Sequence, residues 1–199
     1  MGQAYENASD LGTDAHRYLL WGGSAGGGLA IAATYRLVSF GQRHKVAGLI
    51  SMASLCLHPQ AVPQEYQHLH NAYVENGGKL PVVSGDDALF CYKLAGAEPP
   101  YDEKRGSLFP LTMGKEGVRG FPRTYVVTCG SDAVRDDGVV LEAALRDVGV
   151  SVKRDNYEKL PHYFWVFPVE RTGRDMRRKL VEGVEWTLEG SGEENASRL

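Results

Sequence analysis

Two rhythms of apolar and polar residues alternate along the chain. Short apolar runs at 18–22, 46–51 and 124–129 are bounded by glycine, proline or polar clusters, and they have the length of strands covered on both faces. A fourth run, 150–157, mixes polar with apolar positions, as a strand at a sheet edge does. Helical patterns lie between and after these runs. Residues 25–39 place Leu29, Ala30, Ala33 and Leu37 on one face and end at Gly41. Asp136 to Val148 carries Leu141, Ala144, Leu145 and Val148 at i, i+3, i+4, i+7 and stops at Gly149. Residues 173–189 have Met176, Leu180, Val184 and Leu188 as their stripe. Alternation of strand and helix predicts an α/β fold, a parallel sheet of about four strands flanked by helices.

Residues 52–121 break that rhythm. They contain Pro59, Pro63, Pro81, Pro99, Pro100 and Pro110, and helical patterns appear only at about 61–74 and 86–95. A connection this long inside a compact domain is expected to form a lid or binding loop, here read as a cap-like insertion. The last ten residues, GSGEENASRL, are polar and expected to fray, which leaves 1–189 as one domain.

Composition narrows the function. A chain of 199 residues has the size of a single domain, and 43% hydrophobic with 24% charged residues suits a packed core. A net charge of −3 offers no electrostatic basis for binding nucleic acid or an anionic membrane, so a small neutral or weakly polar substrate is expected. No apolar run approaches the roughly 18 residues of a membrane span, and the first residues lack the order of a signal peptide. Cys56, Cys91 and Cys129 are odd in number and lack metal-ligand spacing, which predicts free thiols and a cytoplasmic location.

The stretch YLLWGGSAGGGLA holds the candidate chemistry. Gly22, Ser24 and Gly26 form G-x-S-x-G between a predicted strand and a predicted helix, the context of a nucleophile elbow. Such a turn lifts the serine hydroxyl clear of the sheet, and the helix start aims the Ala25 N–H at an oxyanion forming beside it. No Lys-Ser/Thr pair and no G-x-G-x-x-G supports a phosphate loop here. A serine needs a base, and the base an orienting acid. Asp132 follows the third strand and His162 the fourth, at the strand ends where parallel sheets gather function. Trp21, Gly23, Phe164 and Trp165 are expected near these loops, where they would line an acyl pocket. His58, His68 and His70 are expected to face solvent, with no metal site. Arg177, Arg178 and Lys179 read as a solvated helix face.

These segments resemble the hormone-sensitive lipase family of α/β-hydrolases. GGSAGGGLA is similar to its G-D-S-A-G-G-N-L-A elbow, GSDAVRDDG to its G-x-D-P-L-R-D-E-G and LPHYF to its P-H-G-F. The resemblance covers about residues 5–188, is nearest to fungal carboxylesterases, and needs no cofactor. It implies Ser24 as nucleophile, His162 as base then acid and Asp132 as orienting carboxylate. Gly23 stands where the family has Asp, Gly28 where it has Asn, Ala133 and Val134 where it has Pro-Leu, and Tyr163 where it has Gly.

The family's H-G-G-G motif is absent from the sequence, so the chain resembles the C-terminal portion of the fold, strands five to eight. Two consequences are expected. The first strand would become an open sheet edge prone to self-association. Ala25 would be left as the oxyanion donor, and each lost donor costs about 2.7–4 kcal/mol. The residues therefore admit a serine esterase for short-acyl or small aromatic esters, weakened as this chain or completed by a partner. They also admit a non-catalytic binding module or fragment that keeps the fold remnant.

Overall fold

A computed structural model describes residues 2–78, 81–168 and 170–196. Four strands, β1 (Leu19–Gly23), β2 (Gly48–Met52), β3 (Thr124–Ser131) and β4 (Val152–Pro161), form one sheet in the order β1-β2-β3-β4. Every pairing is parallel, with Trp21 opposite Ile50, Ile50 opposite Tyr125 and Tyr125 opposite Lys153. The helices are α1 (Gly2–Glu6), α2 (Ala25–Ser39), α3 (Ala72–Glu75), α4 (Gly85–Leu94), α5 (Glu103–Gly106), α6 (Arg135–Asp147) and α7 (Glu170–Ala196). Strand ends differ from the sequence expectation by at most four residues, and the start of β3 at Thr124 coincides with it.

Alternation along the central strands divides the core in two. Leu49 and Val126 face α2 and α6, where they meet Ile31, Leu141 and Leu145. Ile50, Tyr125 and Val127 face the other way, toward Met176, Leu180 and Val184 of α7. β2 is buried at all five positions, whereas β1 and β4 lie at the edges. Among the described residues no strand pairs with the outer side of β1, and none of their helices is long and apolar enough to cross a membrane.

Two local expectations are corrected. Leu29 is not on the core stripe of α2: it is 66% exposed, and Gly27, Gly28, Ala30, Ile31, Ala32 and Thr34 are buried instead. Residues 28–33 are apolar or glycine all round, so periodicity alone does not select the inward face. α7 continues to Ala196, through most of the segment expected to fray. Gly190 and Gly192 each disfavour helix by about 1 kcal/mol but do not terminate one, and no proline follows. Ser197 to Leu199 lie outside the described residues.

The insertion between β2 and β3 is built mainly from 3-10 turns and short helices, with α4 closed by a Ser84–Asp87 capping box. It belongs to the same core: Leu57, Tyr66, Leu111, Val118 and Phe121 pack beside α6. Its polar anchors are the two carboxylates of the first turn of α6. Asp137 Oδ2 accepts from the N–H groups of Cys56 and Leu57, both at 2.9 Å, and Asp136 Oδ2 from those of Asn71 and Ala72 at 2.8 and 2.7 Å. His70 Nε2 lies 3.0 Å from Asp137 Oδ1, with both side chains buried. His70 and the buried His58 therefore do not face solvent as expected, whereas His68 does. Imidazole so close to a carboxylate serves as an internal polar partner, something that spacing along the sequence does not disclose.

Candidate active site

The turn after β1 carries Ser24 at φ 51°, ψ −125°, outside the common regions for a residue with a side chain. The surroundings hold it there. Its N–H donates to Met52 O at 3.0 Å, and its carbonyl accepts from the N–H groups of Gly27, Gly28 and Leu55 at 3.0, 3.2 and 3.0 Å. Strain persists where neighbouring bonds over-determine the backbone in this way. The steric need for glycine falls unevenly within the motif. A Cβ on Gly22 would collide with the carbonyl of Gly26, but a Cβ on Gly26 would meet nothing within 4 Å.

Asp132 follows β3 and His162 follows β4, so both reach Ser24 from the carboxyl edge of the sheet. Ser24 Oγ lies 3.0 Å from His162 Nε2, and His162 Nδ1 lies 2.8 Å from Asp132 Oδ2. Asp132 is fully buried, and its other oxygen accepts from the Val134 N–H at 3.1 Å. An ionised carboxylate only accepts, so Nδ1–H donates to Asp132 and Nε2 is left to accept from the serine hydroxyl. The connected arrangement can draw a proton from Ser24 while the carboxylate fixes the imidazole. Cys129, on β3, offers no rival nucleophile, because burial pushes its thiol up to about 12 and keeps it protonated at neutral pH. Burial likewise raises Cys56, with Asp137 adding to the shift.

Ala25 opens α2, where the positive end of the helix dipole points outward. Two cavities flank the elbow. One, of about 330 Å³, is lined on the Gly23 side by Trp21, Met52, Tyr163, Trp165 and Arg177. The other, of about 390 Å³, lies on the Ala25 side against Gly28, Leu29, Leu55, Tyr92 and Phe109. Both have the size of small-ligand pockets.

Of the residues expected to contact substrate, Trp21 and Gly23 reach the first cavity and Phe164 does not. Phe164 is 4% exposed and packs against Tyr157 at 4.8 Å between ring centroids, inside the α7 side of the core. Its neighbour Tyr163 adopts the left-handed conformation, φ 55°, which turns the two rings apart and gives Tyr163 the place at the cavity. In the sequence Tyr163 stands out only as a departure from P-H-G-F. The paired departure at Gly23 was the available signal, because the Tyr163 hydroxyl occupies the space a Cβ on Gly23 would need.

Comparison with known proteins places the chain. A family model described as alpha/beta hydrolase fold matches residues 1–166. A versiconal hemiacetal acetate esterase of Dothistroma septosporum is 32% identical over 186 residues, 93% of this chain and 55% of that protein. Vibralactone cyclase superposes with a TM-score of 0.82 at 24% identity, over 94% of this chain and 54% of that one. Brefeldin A esterase, a bacterial homologue of human hormone-sensitive lipase, gives 0.75 at 20% identity, over 95% and 51%. The two structural likenesses show the fold, and the chain spans about half the length of these relatives.

Proposed function

The chain belongs to the alpha/beta hydrolase fold family, and from that premise we propose that it is a serine carboxylic ester hydrolase acting on small or short-acyl esters. The observation that supports this most is the hydrogen-bonded series from Ser24 Oγ through His162 to Asp132, at 3.0 and 2.8 Å. The esterase relative adds the reaction class.

In this reading His162 Nε2 takes the Ser24 proton as Oγ attacks the ester carbonyl carbon. The carbonyl oxygen becomes an oxyanion that accepts from the Ala25 N–H, while Asp132 stabilises the imidazolium. The C–O bond to the alcohol breaks, His162 returns its proton to the leaving oxygen, and an acyl-serine remains. Water then attacks the acyl carbon with His162 again as base, which releases the acid and restores Ser24. The Ala25 N–H is the oxyanion donor this reading assigns, and loss of one such donor costs about 10²–10³-fold in turnover. The open β1 edge is read as a surface for self-association, and the three free cysteines suit a reducing, cytoplasmic compartment.

Stopped-flow hydrolysis of 4-nitrophenyl acetate and butyrate tests the reading. The expected result is a nitrophenol burst of acyl-enzyme formation in the wild-type protein and background rates for Ser24→Ala. Equal rates in the two proteins would contradict it.

A further inference from the structure

The cavity on the Ala25 side has an uneven wall. Leu29 and Leu55 come from α2 and the loop after β2, Tyr92 and Ala95 from the end of α4, and Leu108 and Phe109 from the segment after α5. These surfaces are hydrocarbon or aromatic. Leu29 is 66% exposed and Leu108 44%, so the cavity leaves apolar area open beside the elbow. Arg105 of α5 breaks the pattern, because it lines the same cavity and carries a permanent charge.

Among the described residues its charge has no carboxylate partner. The Arg105 N–H donates to Asp102 Oδ1 at 2.7 Å, a contact of the local turn. Among the described residues no acceptor holds its guanidinium. Arg119, Arg135, Arg146, Arg154 and Arg178 each pair with a carboxylate and Arg36 and Arg123 lie over aromatic rings, whereas Arg105 lines a cavity. A guanidinium presents a planar fork that suits two anionic oxygens, and Arg105 is exposed at the cavity's rim, where a ligand's acid group can reach it.

We propose that Arg105 is a specificity-determining residue, and that the cavity takes an apolar or aromatic group bearing an acidic substituent, a carboxylate or an ionised phenol. The ligand's carbon skeleton covers Leu29, Leu55, Tyr92 and Phe109 while its anionic oxygens pair with the guanidinium. Taken with the esterase reading, on which the word substrate rests, this names the preferred esters as those with an acid group on the half next to Ala25. The acid group holds the ester and takes no part in bond breaking.

Cys91 lines this cavity and is exposed, whereas Cys56 and Cys129 are buried, so alkylation of Cys91 reports occupancy without any turnover. Iodoacetamide labelling of Cys91, followed by peptide mass, is measured against concentration of 2-naphthoate and of its neutral counterpart 2-naphthamide. Half-protection by naphthoate is expected at a concentration at least ten-fold lower than by the amide. Arg105→Gln abolishes that difference and Arg105→Lys retains most of it. Equal protection by acid and amide, an unchanged preference in Arg105→Gln, or no protection by either compound overturns the proposal. Fluorophosphonate labelling of Ser24 in the same samples reads the esterase assignment separately, so failure of one is told apart from failure of the other.

Discussion

The hydroxyl of Tyr163 stands where a Cβ on Gly23 would be, above the residue that precedes Ser24. Its ring is also tilted against His162, with centroids 5.1 Å apart, and against Trp165 at 4.7 Å. The phenol therefore fills the space between elbow and histidine loop. Two departures from the resembling motifs, Gly for Asp at 23 and Tyr for Gly at 163, are thus one exchange of volume between neighbouring loops.

That exchange predicts a coupling. Gly23→Ala forces the Tyr163 ring off its neighbours and is expected to cost about 1–3 kcal/mol of stability, as overpacking does. In a Tyr163→Gly background the clash is gone, and glycine is also at ease at φ 55°. A double-mutant cycle by denaturant unfolding should give a coupling energy of at least about 1 kcal/mol. Additive effects would mean that the two residues do not share this space.

The elbow makes a second, sharper distinction. Gly22→Ala drives a methyl into the Gly26 carbonyl and is expected to unfold or strongly destabilise the protein, whereas Gly26→Ala meets open space. Because Gly26 lies in the first turn of α2, alanine there should leave stability unchanged or raise it by up to about 1 kcal/mol. Thermal unfolding of both variants decides this, and a loss at Gly26 comparable with that at Gly22 would contradict it.

Asp132→Asn keeps an oxygen for the Val134 N–H but can no longer hold His162 in the tautomer that leaves Nε2 free. If Asp132 has the proposed role, ester turnover should fall about 10⁴-fold with little change in unfolding midpoint. A fall below ten-fold in kcat would assign the orienting task elsewhere.

The anchor of the insertion carries a pH signature. Burial would raise the Asp136 carboxyl, but the Arg135 guanidinium and the N–H groups of Asn71 and Ala72 outweigh it and hold it below the usual carboxylate range. A folded-state value below the unfolded one stabilises fully above the unfolded value, about pH 4, and that stability is lost as pH falls through the folded value. Asp136→Asn should therefore cost roughly 2 kcal/mol at pH 7, the scale of a charged hydrogen bond, with a smaller deficit at pH 3. A deficit equal at both pH values, measured by urea unfolding, would show that the charge is not its source.

What the sequence discloses here follows from range. The elbow is local, since glycine spacing around Ser24 and the change from strand to helical rhythm lie within about twenty residues. Asp132 and His162 are legible because parallel strands end on one edge of the sheet, so position after a strand implies position near the serine. Phe164, Leu29 and His70 were misplaced for the opposite reason. The side of the chain each occupies is set by distant groups: the core around Ile50 and Tyr125 for Phe164, the insertion for Leu29, and Asp137 for His70. Gly23 and Tyr163 were visible as two oddities, 140 positions apart, whose connection exists only in three dimensions.

The most direct test of the central claim is intact-mass analysis after exposure to a fluorophosphonate, with Ser24→Ala treated in parallel. A reactive serine held by His162 and Asp132 predicts one adduct per chain in the wild-type protein and none in the variant. Folded wild-type protein that takes no label, or an adduct that survives Ser24→Ala, would contradict the assignment of Ser24 as an activated nucleophile.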